Sequence, residues 1–409
     1  MRTEVIDQAQ QRETNLSIVL QRLMTDKDCT RVKLAAQTGL AQATVTKIVF
    51  QLIGWGVVSE QETIGSGVGR RAVRLHLRGE RYAVAAVRIN RDNIQVGLMD
   101  MNRQIRAFDR CDICIEDGPE RSMEKLKGML RQLIAEAGIP VSAIGVAVPG
   151  PFSYRTGRIS LMSGFPGWDR IDLRTELESA FSLPVFVEHD ANCGAVTEYW
   201  SRGLQDRENL LFVAADMGIG AGMILNSQLY RGKDGFAGEI GHASICFDGP
   251  QCECGNRGCL ELYASIKALE KRYRERTGRM LDAEQILKEA RQQEPEAAEA
   301  YQETVRALAC GLVSVINVIN PDTIVFSGRL TRGGPLFLKT LKEVLRQRLM
   351  PEQIRHMELE VCGETPDPML LGAGIAAFTN MLENPSIYFE TNKEHIIGGT
   401  ENGRTKDPN

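Results

Sequence analysis

The sequence predicts an α/β protein in which an N-terminal winged helix-turn-helix precedes a two-lobed body. Three observations carry this. A helix, glycine turn, helix pattern at residues 30–53 is followed by two alternating segments around a basic, glycine-rich tip. A series of three short strands, a helix and a further strand begins at Tyr82, and a second such series begins at Leu210. The length, 409 residues, allows two to four domains at roughly 100 to 200 residues each, with ample apolar material for real cores.

Taken in order, residues 16–24 and 45–53 place apolar side chains at helical spacing, and between them Thr30 reads as the N-cap of a helix that Gly39 ends. Segments 57–60 and 72–77 alternate like strands and flank Gly65, Gly67, Gly69, Arg70 and Arg71, which predicts a hairpin wing. In such a motif the second helix enters the major groove. Gln42, Thr44, Thr46 and Lys47 are therefore the candidate base readers, while Arg70 and Arg71 supply phosphate or minor-groove contacts. Ala41 stands where a Ser or Thr cap is common, so one backbone anchor is missing. The body follows with strands in 82–89, 94–100 and 105–115, a helix around 119–137 and a strand in 143–150. After the second series begin long helices near 261–275 and 296–319, then strand 323–328, helix 335–349, strand 356–362 and a closing helix near 369–382. The expected boundaries are 1–80 for the head, 81–382 for the body and 383–409 for a polar tail that reads as disordered.

Charge follows the same division. The net charge is −4 overall, yet residues 1–80 hold 11 Lys and Arg against 8 Asp and Glu. A basic head on an acidic body makes double-stranded DNA the expected N-terminal partner. With 43% hydrophobic and 25% charged residues the composition is that of a globular protein and excludes a disordered chain. Neither a signal-peptide pattern nor an apolar run of membrane-spanning length is read from the sequence, so a cytoplasmic protein without membrane insertion is expected.

Ten cysteines in a reducing compartment point away from disulfides. His242, Cys252, Cys254 and Cys259 place one imidazole and three thiols close in sequence, with Gly255 and Gly258 permitting tight turns. Soft sulfur plus imidazole in a fourfold set favours tetrahedral Zn2+, and the absence of an open position makes that role structural. Cys111 and Cys114 form a Cys-x-x-Cys in a strand-like segment, where packing is the expected role. Cys29, Cys193, Cys246, Cys310 and Cys362 read as core or incidental thiols.

Asp190 and Asn192 lie just past the apolar strand ending in Val187, where α/β clefts bind ligands. Glu239 and Glu261 add two carboxylates beside the proposed metal loop. Carboxylates and amides gathered in one cleft suit the hydroxyls of a sugar, each of which accepts or donates a directed hydrogen bond.

Several segments together resemble the ROK family of repressors, uncharacterised reading frames and kinases, and within it the branch of xylose-, glucose- and N-acetylglucosamine-responsive repressors. They are Gln11, Arg12 and Asn15, then VAVPGPF at 146–152, EHDAN at 188–192, GIGAGMI at 218–224, GEIGH at 238–242, CECGNRGCLE at 252–261 and IVFSG at 324–328. The resemblance implies an actin-like, sugar-kinase-type body and zinc on His242 and the three cysteines. It also implies sugar contacts from Asp190, Glu239, His242 and Glu261, the Asp being the catalytic base in kinase members. Two departures from the kinase pattern bear on activity. The Asp-x-Gly-Gly-Thr phosphate turn aligns with Arg88-Ile89-Asn90-Arg91-Asp92, and the second phosphate loop reads Asp216-Met217-Gly218. A third departure, His189 in place of the usual Asn, alters a sugar-hydroxyl contact.

The resulting expectation is a non-enzymatic, sugar-responsive DNA-binding regulator, a repressor, whose degenerate kinase body binds a sugar or sugar phosphate. It would act as a homodimer or homotetramer, since one winged helix reads only a half-site. Two rivals stand beside it: an active ATP-dependent sugar kinase with a DNA-binding head, and a repressor switched by docking of a phosphotransferase-system protein.

Overall fold

The computed structural model describes residues 7–26, 29–62, 73–153, 158–159, 166–202, 209–363 and 365–389. The head is built from α1 (Gln8–Thr25), α2 (Arg31–Thr38), α3 (Gln42–Gly54) and an antiparallel pair, β1 (Val58–Glu62) with β2 (Val73–Leu77). Thr30 caps α2 by accepting from the Lys33 amide at 3.2 Å, and Gly39 ends that helix at φ +70°, a conformation that costs a residue without a β-carbon little. Ala41 caps α3 with no side-chain bond. Arg70 and Arg71 lie outside the described residues.

The first lobe comprises β3 (Ala83–Ile89), β4 (Asn93–Asp100), β5 (Ile105–Asp112), α4 (Gly118–Glu136), β6 (Val141–Val148), a short hairpin of β7 (Phe152–Ser153) and β8 (Arg158–Ile159), α5 (Leu173–Phe181) and β9 (Val185–His189). Its sheet runs β5-β4-β3-β6-β9. The helix α6 (Asp190–Ser201) leads into a second lobe of β10 (Leu210–Ala215), β11 (Ile219–Leu225) and β12 (Gln228–Leu229), then α7 (Glu261–Ala264), α8 (Ile266–Thr277), α9 (Ala283–Arg291), α10 (Pro295–Ile319), β13 (Thr323–Ser327), α11 (Pro335–Arg348), α12 (Pro351–His356) and β14 (Glu358–Val361). This sheet runs β12-β11-β10-β13-β14, the same topology as the first, which the repeated strand pattern anticipates. The chain closes with α13 (Pro368–Met381) and α14 (Pro385–Phe389). The helix expected near 261–275 is broken at Ser265, which turns to extended backbone and caps α8.

The α13 sequence GAGIAAF is rich in small residues because its backbone touches neighbours directly. A β-carbon on Gly372 would lie 1.9 Å from the Cys193 carbonyl oxygen of α6, and one on Gly145 of β6 would lie 2.0 Å from the Ala373 carbonyl oxygen. The Thr197 hydroxyl of α6 donates to the Pro368 carbonyl at 2.7 Å, closing the contact at its other end. Further along, Ile375, Phe378, Met381 and Leu382 enter the same core as Leu16, Val19 and Leu20 of α1 and Trp55. The boundary expected at residue 80 is thus bridged by shared apolar packing.

Residues 383–389 of the tail expected to be disordered are ordered and packed on the head. Phe389 is fully buried edge-on against Tyr82, with ring centroids 5.1 Å apart, and Ser386 bonds Glu13 of α1 through its amide and hydroxyl at 3.1 and 2.6 Å. The polar composition hid a single aromatic anchor, and residues 390–409 lie outside the described set. One described helix, α10, is long and apolar enough to cross a membrane by length and composition, which qualifies the expectation from the sequence. Its Tyr301, Leu308, Leu312 and Ile316 are buried in the second lobe.

Gly372→Val puts a branched side chain against the α6 backbone and should destabilise the protein by about 2 to 4 kcal/mol in urea unfolding, with Gly363→Ala, which meets nothing within 4 Å, as a near-neutral control.

Candidate functional site

Between the lobes, Pro149 and Gly150 after β6, His189 and Asp190 at the β9–α6 junction, Ala214 and Gly218 to Gly220 of the β10–β11 hairpin, Glu239, His242 and Glu261 line one cavity together with Arg91. Four of the five predicted ligand residues are therefore brought together. Asp190 is the first residue of α6, so its carboxylate also sits at the positive end of that helix. His189 Nε2 lies 3.5 Å from Asp190 Oδ1 and 3.9 Å from Glu239 Oε1. Gly150 leaves room for both partners, since a β-carbon there would stand 2.3 Å from Glu239 Oε1 and 2.6 Å from His189 Nε2. Burial pushes the Glu239 carboxyl above the ordinary range. His189 and His242 oppose that shift, while Asp190 and Glu261 add to it. The fifth residue, Asn192, is placed elsewhere. It is 1% exposed and its amide donates to Glu188 Oε1 at 2.9 Å, while Glu188 also pairs with Arg231 at 2.7 Å.

The enclosed part of the cavity measures about 40 Å³, room for about three water molecules.

The other turns of the cleft are joined by a charged pair. Asp216 accepts from Arg329 Nε at 2.8 Å and Nη2 at 2.6 Å, and its second oxygen accepts from the Arg329 amide at 3.1 Å. Arg329 also reaches Asp92 of the β3–β4 turn at 3.7 Å, so one guanidinium links the two turns. Burial raises the Asp216 carboxyl, but the Arg329 hydrogen bonds and charge outweigh it and hold the group below the ordinary range. Arg88, half-buried near the end of β3, pairs with Asp367 at the head of α13. From the sequence, Asp216 reads only as a carboxylate hostile to phosphate. Its partner lies 113 residues away, and no local signal announces it.

Beside the cavity, His242, Cys252, Cys254 and Cys259 bring their ligand atoms within 4.8 Å of one another. The Cys254–Cys259 sulfurs are 3.7 Å apart and Cys252 Sγ is 3.8 Å from His242 Nδ1. Tetrahedral bonds of about 2.3 Å give sulfur–sulfur edges of about 3.8 Å, so the donor set fits a tetrahedral ion. Nδ1 faces the thiols, which leaves Nε2 of the same ring for the cavity that His242 lines. Cys111 packs on the first-lobe core as expected, whereas Cys114 is exposed and bonds Asp117. In the head, Gln42 and Lys47 are exposed and Thr44 and Thr46 half-buried on α3, whose Val45, Ile48, Val49 and Leu52 face the core.

A winged helix-turn-helix on a two-lobed, sugar-kinase-like body, with one histidine and three cysteines clustered beside its cleft, defines a regulator class in which a kinase scaffold carries a DNA-binding head. The chain belongs to the ROK family, whose sequence profile matches residues 84–378. It is 30% identical over 359 residues to the xylose repressor of Bacillus spizizenii, covering 87% of this chain and 92% of that one. It is 27% identical over 390 residues to the xylose repressor of Caldicellulosiruptor bescii, covering 91% and 98%. It is 30% identical over 340 residues to the Escherichia coli regulator NagC, covering 78% and 81%. Among solved structures, a ROK family transcriptional regulator described as a homologue of E. coli MLC superposes with TM-score 0.79 at 23% identity over 94% of this chain and all of that one. A Streptomyces griseus ROK glucokinase in complex with glucose and AMPPNP superposes with TM-score 0.64 at 25% identity over 72% of this chain and 99% of that one. The fold is accordingly the actin-like body with an N-terminal head that the sequence predicts.

Two outcomes test the site. Arg329→Met should cost about 2 kcal/mol at pH 7 by leaving Asp216 unpaired. Because Asp216 is held low, its contribution is present above the ordinary carboxylate range and lost as pH falls through the depressed value, so the gap between variant and wild type should narrow in acid unfolding. Cys254→Ser should reduce the metal found by elemental analysis from about one ion per chain to below about 0.2.

Proposed function

We propose that the protein is a sugar-responsive transcriptional repressor that binds operator DNA through α3 and the wing and releases it when a sugar or sugar phosphate occupies the cleft. The observation that carries this reading is the continuity from cleft to head: Asp190 opens α6, α6 packs backbone to backbone on α13, and α13 shares its core with α1. A ligand that parts the lobes shifts this helix pair and with it the head. Relatives of nearly the same length named for repression of xylose and N-acetylglucosamine functions support the sugar class. Gln42, Thr44, Thr46 and Lys47 read the groove, with Arg70 and Arg71 at the wing. Asp190, Glu239, His242 and Glu261 bind the sugar, and Zn2+ on His242, Cys252, Cys254 and Cys259 fixes the loop that carries two of them. The protein works in the cytoplasm as a homodimer or homotetramer, which matches two half-sites. On this reading the protein does not transfer phosphate, which is supported by the Arg329–Asp216 pair in the turn that aligns with a kinase phosphate loop.

Lys47→Ala should weaken operator binding by about 1 to 3 kcal/mol if it reads a base, or lower the salt slope by about one if it neutralises a phosphate, as seen in gel-shift titrations at several salt concentrations. Asp190→Asn should leave the protein on its operator at sugar concentrations that release the wild type. Sugar-dependent ADP release at about 1 to 100 s⁻¹, abolished by the same substitution, would establish the kinase reading instead.

A further inference from the structure

A second cavity lies at the seam between head and body. It is half open, measures about 590 Å³, within the roughly 300 to 1,000 Å³ common to small-molecule sites, and shares no lining residue with the interlobe cavity. The head supplies one face of α1, from Ile18 to Thr25 at helical spacing, beside the stripe of the same helix that enters the core. The body supplies Tyr199 and Trp200 at the end of α6, the β11–β12 hairpin and the C-terminal end of α13. No Asp or Glu stands among the described lining residues.

The chemistry of this wall selects a ligand. Arg22 is half-buried, yet its guanidinium makes no ion pair or hydrogen bond among the described residues, which is costly for a partly desolvated charge unless something else neutralises it. The Tyr199 hydroxyl and the Trp200 indole N–H likewise have no hydrogen-bond partner there. Trp200 is held from outside the cavity, where Arg103 donates to its carbonyl at 3.1 Å and stands over its ring 6.0 Å from the centroid. Arg231 also lines the cavity, but its Nε is engaged by Glu188 at 2.7 Å. What is left open is a guanidinium fork that takes both oxygens of a carboxylate, beside two aromatic rings that offer apolar faces and polar tips. We propose that this cavity is a second ligand site and that its ligand is a small aromatic carboxylate, with the carboxylate on Arg22 and the ring against Tyr199 and Trp200. Because Arg22 belongs to the head and the aromatic pair to the body, the ligand bridges the two. On the reading of the protein as a DNA-binding repressor, it is a second input to the head, separate from the sugar cleft.

The test is calorimetric titration of the full-length protein with benzoate, 4-hydroxyphenylacetate and indole-3-acetate, each beside its uncharged amide, with acetate as an anion that lacks the ring. At least one aromatic acid should bind at one site per chain, about tenfold to a hundredfold more tightly than its amide and than acetate. Arg22→Ala should erase the ratio of acid to amide and Arg22→Lys should keep part of it, whereas a general loss of structure weakens acid and amide equally. Gln228→Trp, at an exposed position of the wall, should block acid and amide alike without lowering the unfolding temperature. In gel-shift titrations saturating acid should change operator affinity by about fivefold or more, and the change should be lost in Arg22→Ala. Failure of every aromatic acid to bind, an amide or acetate binding as tightly as the acids, or an acid preference that survives Arg22→Ala would overturn the site and leave the sugar-responsive repressor standing. Acid binding that leaves operator affinity unchanged would overturn the input to the head, and acid binding by a protein that binds no DNA would remove the repressor reading while the site stands.

Discussion

The backbone-to-backbone contact of α6 with α13 is the constraint on which the rest of the molecule depends. Helices that meet through glycine and alanine have no side-chain layer to absorb small displacements, so a shift at one is delivered to the other. Gly372 against Cys193 makes this contact, and Gly145 against Ala373 seats α13 on the first lobe as well. On its far side α6 is pinned to the second lobe, where a β-carbon on Gly222 would lie 2.1 Å from the Ala191 carbonyl oxygen. The helix pair thus touches both lobes and the head, and one end of it carries Asp190.

Electrostatics sets the resting state of this device. Arg329 ties Asp216 of the second lobe and approaches Asp92 of the first, and Arg88 of the first lobe ties Asp367 at the start of α13. These ion pairs link the two lobes and α13 beside the cleft. A differential affinity of about 2 to 3 kcal/mol between lobe arrangements is enough to release DNA by about tens-fold to a hundredfold.

Much of this was legible in the sequence, and the parts that were not share a physical cause. Short-range chemistry reads well: Thr30 as a cap, Gly39 as a helix end, the repeated strand series, and four metal donors within 18 residues, His242 to Cys259. Long-range partners do not, because nothing near Asp216 points to Arg329 and nothing near Phe389 points to Tyr82. Asn192 belongs to a motif that otherwise lines the cavity, yet helical geometry turns it away from Asp190 and toward Glu188, four residues back. Arg91 was visible only as an obstacle to phosphate binding. Its reach to Gly218 appears once the two hairpins face each other across the cleft.

The central claim is that cleft and DNA head share one mechanical path, and linkage offers its most direct test. If effector weakens operator binding by a given factor, operator must weaken effector binding by the same factor, since both measure one coupling free energy. Calorimetric titration of effector into the free protein and into the protein saturated with operator DNA gives that second factor directly. The account predicts that it equals the loss of operator affinity produced by saturating effector. An effector affinity unchanged by bound operator would contradict it.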